Sequence, residues 1–175
     1  KPNLKFKLDS NLIDSEYIPL FASWIDKKGT SHYNRKSTPY KFKLLYRSDQ
    51  NGFNATEFHK SCDDKGATIW ITKIQDSTQL IGGYNPLDWN GNIAKVSKDS
   101  FLFNFTDGKN ISTAKVGYFN DSNKLYCYNN EGPSMGNLYC PNSVNWTISR
   151  QVTQYPHVGI PDSFIVEIFE VFQIK

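Results

Sequence analysis

A chain of 175 residues fits one domain and is long enough to bury a substantial core, so residues 1–175 are read as a single domain. Hydrophobic residues make up 38% and aromatics 15%, while a mean hydropathy of −0.55 and the lack of any long apolar run exclude a membrane-spanning helix and a signal-peptide core. The formal charge of +3 is uneven, with 11 Lys/Arg against 6 Asp/Glu in residues 1–60 and 9 against 11 thereafter; without a dense basic cluster interleaved with aromatics, it argues against nucleic-acid binding.

The chain opens on Lys1 rather than Met, in what reads as a domain edge, and is therefore expected to be a piece of a longer protein. Residues 1–9 carry little periodicity and are expected to fray or to add an edge strand. Asp14 or Ser15 then caps a predicted helix on which Tyr17, Phe21, Trp24 and Ile25 share a face, with Pro19 in the first turn and Gly29 as the stop. Residues 30–38 read as a polar loop.

From Pro39 to Trp89 the signals are densest. Tyr40, Phe42, Leu44 and Tyr46 alternate with Lys41, Lys43 and Arg47, the period of a strand with one buried face, although Leu45 interrupts the polar side. Asn54 is placed to cap a short helix, Glu57 to reach back to the cap N–H, and Phe53 and Phe58 to staple it. Phe58 and Cys62 form its apolar stripe, and Gly66 is the expected left-handed end. Ala67–Gln75 and Gln79–Tyr84 read as consecutive strands, the second carrying Gly82-Gly83, which predicts a bulge or a close backbone approach.

Beyond Trp89 the strand signals are shorter. Phe101, Phe103 and Phe105 share one strand face; AKVGYF, KLYCY, NLYC and VNWTIS are weaker strand candidates, the first two separated by Asn120–Asn123. Gly132–Gly136 is a turn-rich loop, Gln151–Pro161 a Pro-bounded one, and Ser163–Ile174 the strongest strand of the second half. Both faces of that strand are mostly apolar, as in a central strand covered on both sides, and Glu170 breaks one of them. A carboxylate there must be hydrogen-bonded, paired or at the sheet margin. The fold class is read as mainly β (α+β), two antiparallel sheets packed as a sandwich with a few short peripheral helices.

Candidate chemistry is sparse. Cys62, Cys127 and Cys140 are an odd set without CxxC spacing, which favours a reducing, cytoplasmic setting over zinc or a disulfide framework. Five Asn-x-Ser/Thr triplets, at Asn54, Asn104, Asn110, Asn120 and Asn145, are what an Asn- and Ser-rich chain produces by chance. A thiol enzyme would need Cys62 beside His59, yet Cys62 extends an apolar stripe and reads as core. Asp63-Asp64 and Glu167 with Glu170 are the visible carboxylate pairs; the glycine pairs are not phosphate loops, and no cofactor or metal is expected.

The order PYKFKLLY, NGFNATEFHKSCDDKGATIWI, LIGGYNPLDW, DSFLFNFTDG, GPSMG and VEIFEVFQI resembles the TLDc domain family over most of the chain. The resemblance implies two antiparallel sheets packed together with helices alongside, no settled catalytic mechanism, a link to oxidative-stress resistance, and binding to the vacuolar-type proton-pumping ATPase. It carries Gly66, Gly82, Gly83, Tyr84, Trp89, Phe101, Gly132, Pro133, Gly136, Glu167, Glu170 and Phe172 as motif positions, most of them structural. Met135 stands where many members have Phe, and the following segment is shortened to Asn137-Leu138, as in a divergent branch of the kind often joined to BTB modules. Function is therefore expected to lie in protein interaction through Tyr84, Trp89 and Met135 on loops at strand ends, with the domain monomeric and any membrane reached only through the partner.

Overall fold

The last and longest strand, Ser163–Ile174, organises the sheet because its β-branched and aromatic residues can pair on both edges and pack on both faces. A computed structural model of the protein describes residues 8–118, 123–150 and 154–175. Most of the expected N-terminal edge segment, the turn and sequon at Asn120, and the start of the loop at Gln151 lie outside the described residues. In chain order the elements are α1 (Tyr17–Ile25), β1 (Phe42–Arg47), the single turn α2 (Ser48–Asn51), α3 (Ala55–Cys62), β2 (Thr68–Ile74), β3 (Leu80–Asn85), β4 (Ala94–Ser97), β5 (Phe101–Phe105), β6 (Ala114–Tyr118), β7 (Asn123–Tyr126), β8 (Leu138–Tyr139), β9 (Asn145–Ile148) and β10 (Ser163–Ile174).

The strands form a curled antiparallel sheet in the order β6-β5-β3-β2-β10-β9-β8, with β1 also on β10, and a two-stranded β4-β7 ribbon beside it. Strand β10 joins the parts: Ser163–Ile165 pair with β9, whereas Glu170–Phe172 lie between β1 and β2. This is the mainly β, antiparallel architecture expected from the sequence.

Two clusters fill the two faces of the sheet. On one, α1 lays Phe21 and Trp24 over Phe101, Phe103 and Phe105, with Ile69, Ile71 and Phe172 beneath. On the other, α3, the β4-β7 ribbon and the 127–142 loops cover Trp70, Ile81, Leu102, Phe169 and Val171. Alternation along β2 feeds both, since Ile69 and Ile71 point one way and Trp70 the other.

Several local expectations are corrected. The residue that interrupts β1, Leu45, is a bulge: the register shifts between Leu44 and Tyr46, so Phe42 and Leu44 join the α1 side while Leu45 and Tyr46 join the other. Asp14 caps the start of α1 as expected, its Oδ1 accepting from Glu16 N–H at 2.8 Å and its carbonyl from Tyr17 N–H at 3.2 Å, but the helix ends before Gly29. Lys27 takes the left-handed position (φ 53°), with Lys27 N–H on Trp24 O and Lys28 N–H on Ser23 O closing the last turn. Helix α3 likewise ends before Gly66, at Cys62; Asp64 (φ 64°) makes the first left-handed step and Gly66 (φ 72°), left-handed as expected, the second. Strand β10 is covered on both faces only in its C-terminal half, because a register shift between Val166 and Ile168 separates it from an N-terminal half in which Ile165 and Glu167 face solvent.

Candidate functional site

The motif residues of the first and second halves of the chain meet beneath the β3–β4 connection, and the glycines decide how closely. A Cβ at Gly82 would stand 2.1 Å from the Trp70 carbonyl oxygen and 2.4 Å from the Phe103 ring; one at Gly83 would stand 2.7 Å from the Trp70 indole nitrogen and 2.8 Å from the Met135 sulfur. Of the two geometries the sequence allowed here, the structure has the close approach, and the β2–β3 register runs through it unbroken. Trp70 Nε1–H then points at the Met135 sulfur, 3.2 Å away.

Tyr84, Trp89 and Met135 are thus core residues, with exposures of 7%, 0% and 0%, and do not form an interaction surface. Trp89 and Met135 are consumed in covering the sheet face that no regular layer covers, while Tyr84, in β3, is buried on the α1 face. Trp89 donates its indole N–H to Thr68 Oγ1 at 2.8 Å and meets Phe58 edge-on; Tyr84 packs on Phe101, and burial pushes its hydroxyl pKa up to about 12.

Polar clips that the sequence did not announce hold these loops. The Asp88 carboxylate accepts from the N–H groups of Asp64, Gly66 and Asn90, which ties the turn after α3 to the β3–β4 connection. Lys95 Nζ donates to Asp88 O and Asn90 Oδ1. In the 132–136 loop, Gly132 N–H donates to Cys140 O, Ser134 Oγ accepts from Cys140 N–H, and Pro133 is buried. Gly136 is left-handed (φ 55°) with Tyr155 so close that a Cβ would stand 2.5 Å from its ring. Asn54 caps α3 as expected, its Oδ1 accepting from Glu57 N–H at 2.8 Å, while its own N–H faces the Tyr46 hydroxyl rather than the Glu57 carboxylate. Asn142 Oδ1 adds a second cap on Ala55 N–H.

In the β3–β4 connection and on β4, apolar side chains are turned out to solvent: Leu87 is 40% and Ile93 54% exposed in the connection, and Val96 59% on the strand. Their spacing gave no strand or helix period that would have set them apart from core positions.

The two carboxylate pairs separate. Glu170 is fully buried and accepts from Arg47 Nε at 2.8 Å, Ser10 Oγ at 2.6 Å and Asn11 N–H at 3.1 Å; Arg47 also reaches Asp9 at 3.1 Å. Burial works against the Arg47 charge, but the bonds to Glu170 and Asp9 outweigh it and hold its pKa above the ordinary value. Glu167 points outward and pairs with Lys73 on the surface. Asp63 bonds His59 and Asp64 bonds Asn90, so neither pair offers two free carboxyls to one substrate. Beside the Glu170 cluster lies a hollow of about 480 Å³ lined by Ser10, Asn11, Asp14, Tyr17, Lys109 and Asn110.

The three cysteines are free and fully buried. Burial pushes the Cys62 and Cys140 thiols well up and Cys127 to about 11, opposite to what a nucleophilic thiolate needs. His59 is not a base for Cys62, since its ring nitrogens face Asp63 and the carbonyls of Tyr128 and Glu131. Among the described residues no cluster of three or more His, Cys, Asp or Glu has the arrangement of a metal site, and no helix is long and apolar enough to cross a membrane.

No curated protein matches the chain. Against known families, residues 6–175 match the TLDc domain, which spans the β1 strand, the capped α3, the Gly82-Gly83 approach, the 132–136 loop and β10 alike. With essentially its whole length matched, the chain belongs to the TLDc domain family.

Proposed function

We propose that this domain is a non-catalytic protein-interaction module of the cytoplasm, monomeric by itself, whose partners include subunits of the vacuolar-type proton-pumping ATPase. Its contribution to oxidative-stress resistance runs through that contact and not through its own thiols. The observation that carries the reading is the exposure of three apolar side chains, Leu87 and Ile93 on a connection pinned from beneath by Asp88 and Trp89 and Val96 on the β4 strand it leads into. Apolar groups held rigidly at the surface suit a protein partner, because binding them costs little ordering. The competing reading, a thiol enzyme acting through Cys62, has burial and a raised thiol pKa against it.

The test is capture from cell lysate by the wild-type domain and by an Ile93→Glu, Val96→Glu variant, each verified as folded by circular dichroism. Both side chains project from the surface, so the variant is expected to keep its melting temperature and to lose proton-pump subunits from the captured set. Capture of the same subunits by both proteins, or of none by either, overturns the reading.

A further inference from the structure

His59, on the buried face of α3, has an acceptor at each ring nitrogen. Nε2 lies 2.8 Å from the carbonyl oxygen of Tyr128 and 2.9 Å from that of Glu131; Nδ1 lies 2.7 Å from Asp63 Oδ1. Carbonyl oxygens only accept, so Nε2 must carry a proton. If that were the ring's only proton, the Nδ1 lone pair would face an ionised carboxylate at hydrogen-bond distance, which is repulsive. The observed geometry requires one further proton between Nδ1 and Asp63, whichever atom holds it.

We infer that the His59–Asp63 pair is a proton-operated latch: with the shared proton it holds His59 in place to fasten the turn at Tyr128–Glu131 to α3, and loss of that proton sets the Nδ1 lone pair against the Asp63 carboxylate and weakens that fastening while the Nε2–H bonds remain. Burial makes the charge on each partner costly alone, since the His59 side chain is 8% exposed and that of Asp63 24%. Burial pushes the Asp63 carboxyl pKa up against the pull of its bond to His59, and the Asp88 and Asp64 carboxylates push the same way. The other groups facing the pair's surroundings do not replace the proton. Lys95, from β4, is spent on Asp88 O and Asn90; Lys65 follows in the turn after α3; the nearby thiols of Cys62 and Cys127 are neutral, and Phe58 lies edge-on against the imidazole. Glu131 meets the ring through its main-chain oxygen.

The sign follows from proton counting. Well above about pH 6.5 an unfolded chain carries no proton on this pair beyond the one of a neutral imidazole, since free His and Asp titrate near 6.5 and 3.9. The folded pair holds one more, so the latch is fully favourable below about pH 6.5 and is lost as pH rises through the pair's own deprotonation.

Two measurements on the 175-residue chain test the latch. Denaturant unfolding of the wild type from about pH 6.5 to 9 is compared with Asp63→Asn, whose amide can donate to an unprotonated Nδ1 and so keeps the fastening without the extra proton. The wild type is expected to show the added pH slope and Asp63→Asn to lack it; equal slopes overturn the latch. Imidazole nitrogen shifts of the wild type by NMR give a second readout that does not depend on the variant folding. A bridging proton between Nδ1 and Asp63 at neutral pH supports the latch, and a bare Nδ1 beside an ionised Asp63 overturns it.

Discussion

The two faces of the curled sheet are covered by different means. On the α1 face the cover is regular and nearly all apolar: Phe21 meets Phe42, Phe103 and Phe105, and Trp24 meets Phe101, Phe103 and Phe105, at ring separations of 5.0–6.1 Å. On the opposite face the cover is α3, a two-stranded ribbon and loops, and each buried tryptophan finds a specific partner for its N–H: Trp70 the Met135 sulfur, Trp89 Thr68 Oγ1, Trp146 the Ser143 carbonyl. Non-directional burial suffices where a helix fits the sheet. Where loops must do the covering, position is set by hydrogen bonds between residues distant in sequence, and loop aromatics become core.

The sharpest break in that division is Glu170, a buried charge on the apolar α1 face, covered by the segment from Asp9 to Ile13. Glu170→Ala strands the Arg47 guanidinium and is expected to cost about 3–5 kcal/mol, or roughly 6–20 °C in thermal midpoint for a domain of this size. Glu170→Gln keeps an acceptor for Arg47 and is expected to cost clearly less. Replacing both, as Arg47→Met with Glu170→Leu, is expected to fall below Glu170→Ala, because no buried charge is left unpaired and the Asp9 carboxylate that also loses Arg47 is exposed. Thermal melts of the three variants check the order, and an unchanged midpoint for Glu170→Ala would show that the ion pair contributes nothing to this face.

The adjacent glycines sharpen the comparison. A methyl at Gly82 meets a main-chain oxygen and the Phe103 ring on the α1 side, where neither can yield without moving a strand. A methyl at Gly83 meets the Trp70 indole and the tip of Met135, a flexible side chain on the loop side. Gly82→Ala is therefore expected to cost about 3 kcal/mol or more and Gly83→Ala about 1–2 kcal/mol. Equal losses in denaturant midpoint would mean that the loop-covered face is as unyielding as the helix-covered one.

The same difference explains what was legible. Tyr17, Phe21 and Trp24 follow the helical period, the alternating phenylalanines of β5 follow the strand period, and both led directly to one core. The Asn54 cap and the buried pairing of Glu170 were also readable, because each rests on a local rule about an unsatisfied group. The other face gave no period to read. Asp88 fastens N–H groups 22 and 24 residues upstream, and His59 bonds carbonyls 69 and 72 residues downstream, separations at which spacing carries no signal. Trp89 and Met135 were misassigned to the surface for that reason, and Leu87, Ile93 and Val96 were missed; Tyr84 was misassigned although it ends a regular strand on the α1 face. The Leu45 bulge was visible as a break in alternation, but alternation alone does not say whether a break is a surface leucine or a change of face.

The smallest expected effect comes from the other glutamate of β10. Glu167 lies three residues before Glu170 and is also paired with a base, so a count of ion pairs would rank the two alike. The register shift between Val166 and Ile168 sets them apart: it separates the solvent-facing start of β10 from the part enclosed between β1 and β2. The Glu167 side chain is 41% exposed and that of Lys73 27%, against 0% and 5% for Glu170 and Arg47. In water-like surroundings the attraction is screened, and ordering the long Lys73 side chain offsets much of it, which leaves about 0–1 kcal/mol. Glu167→Gln is expected to move the midpoint by no more than about 4 °C, with the difference shrinking further in high salt. A loss comparable to that of Glu170→Ala, undiminished by salt, would mean that the outer face of β10 is shielded from water and that the one-sided start of the strand has a cover of its own.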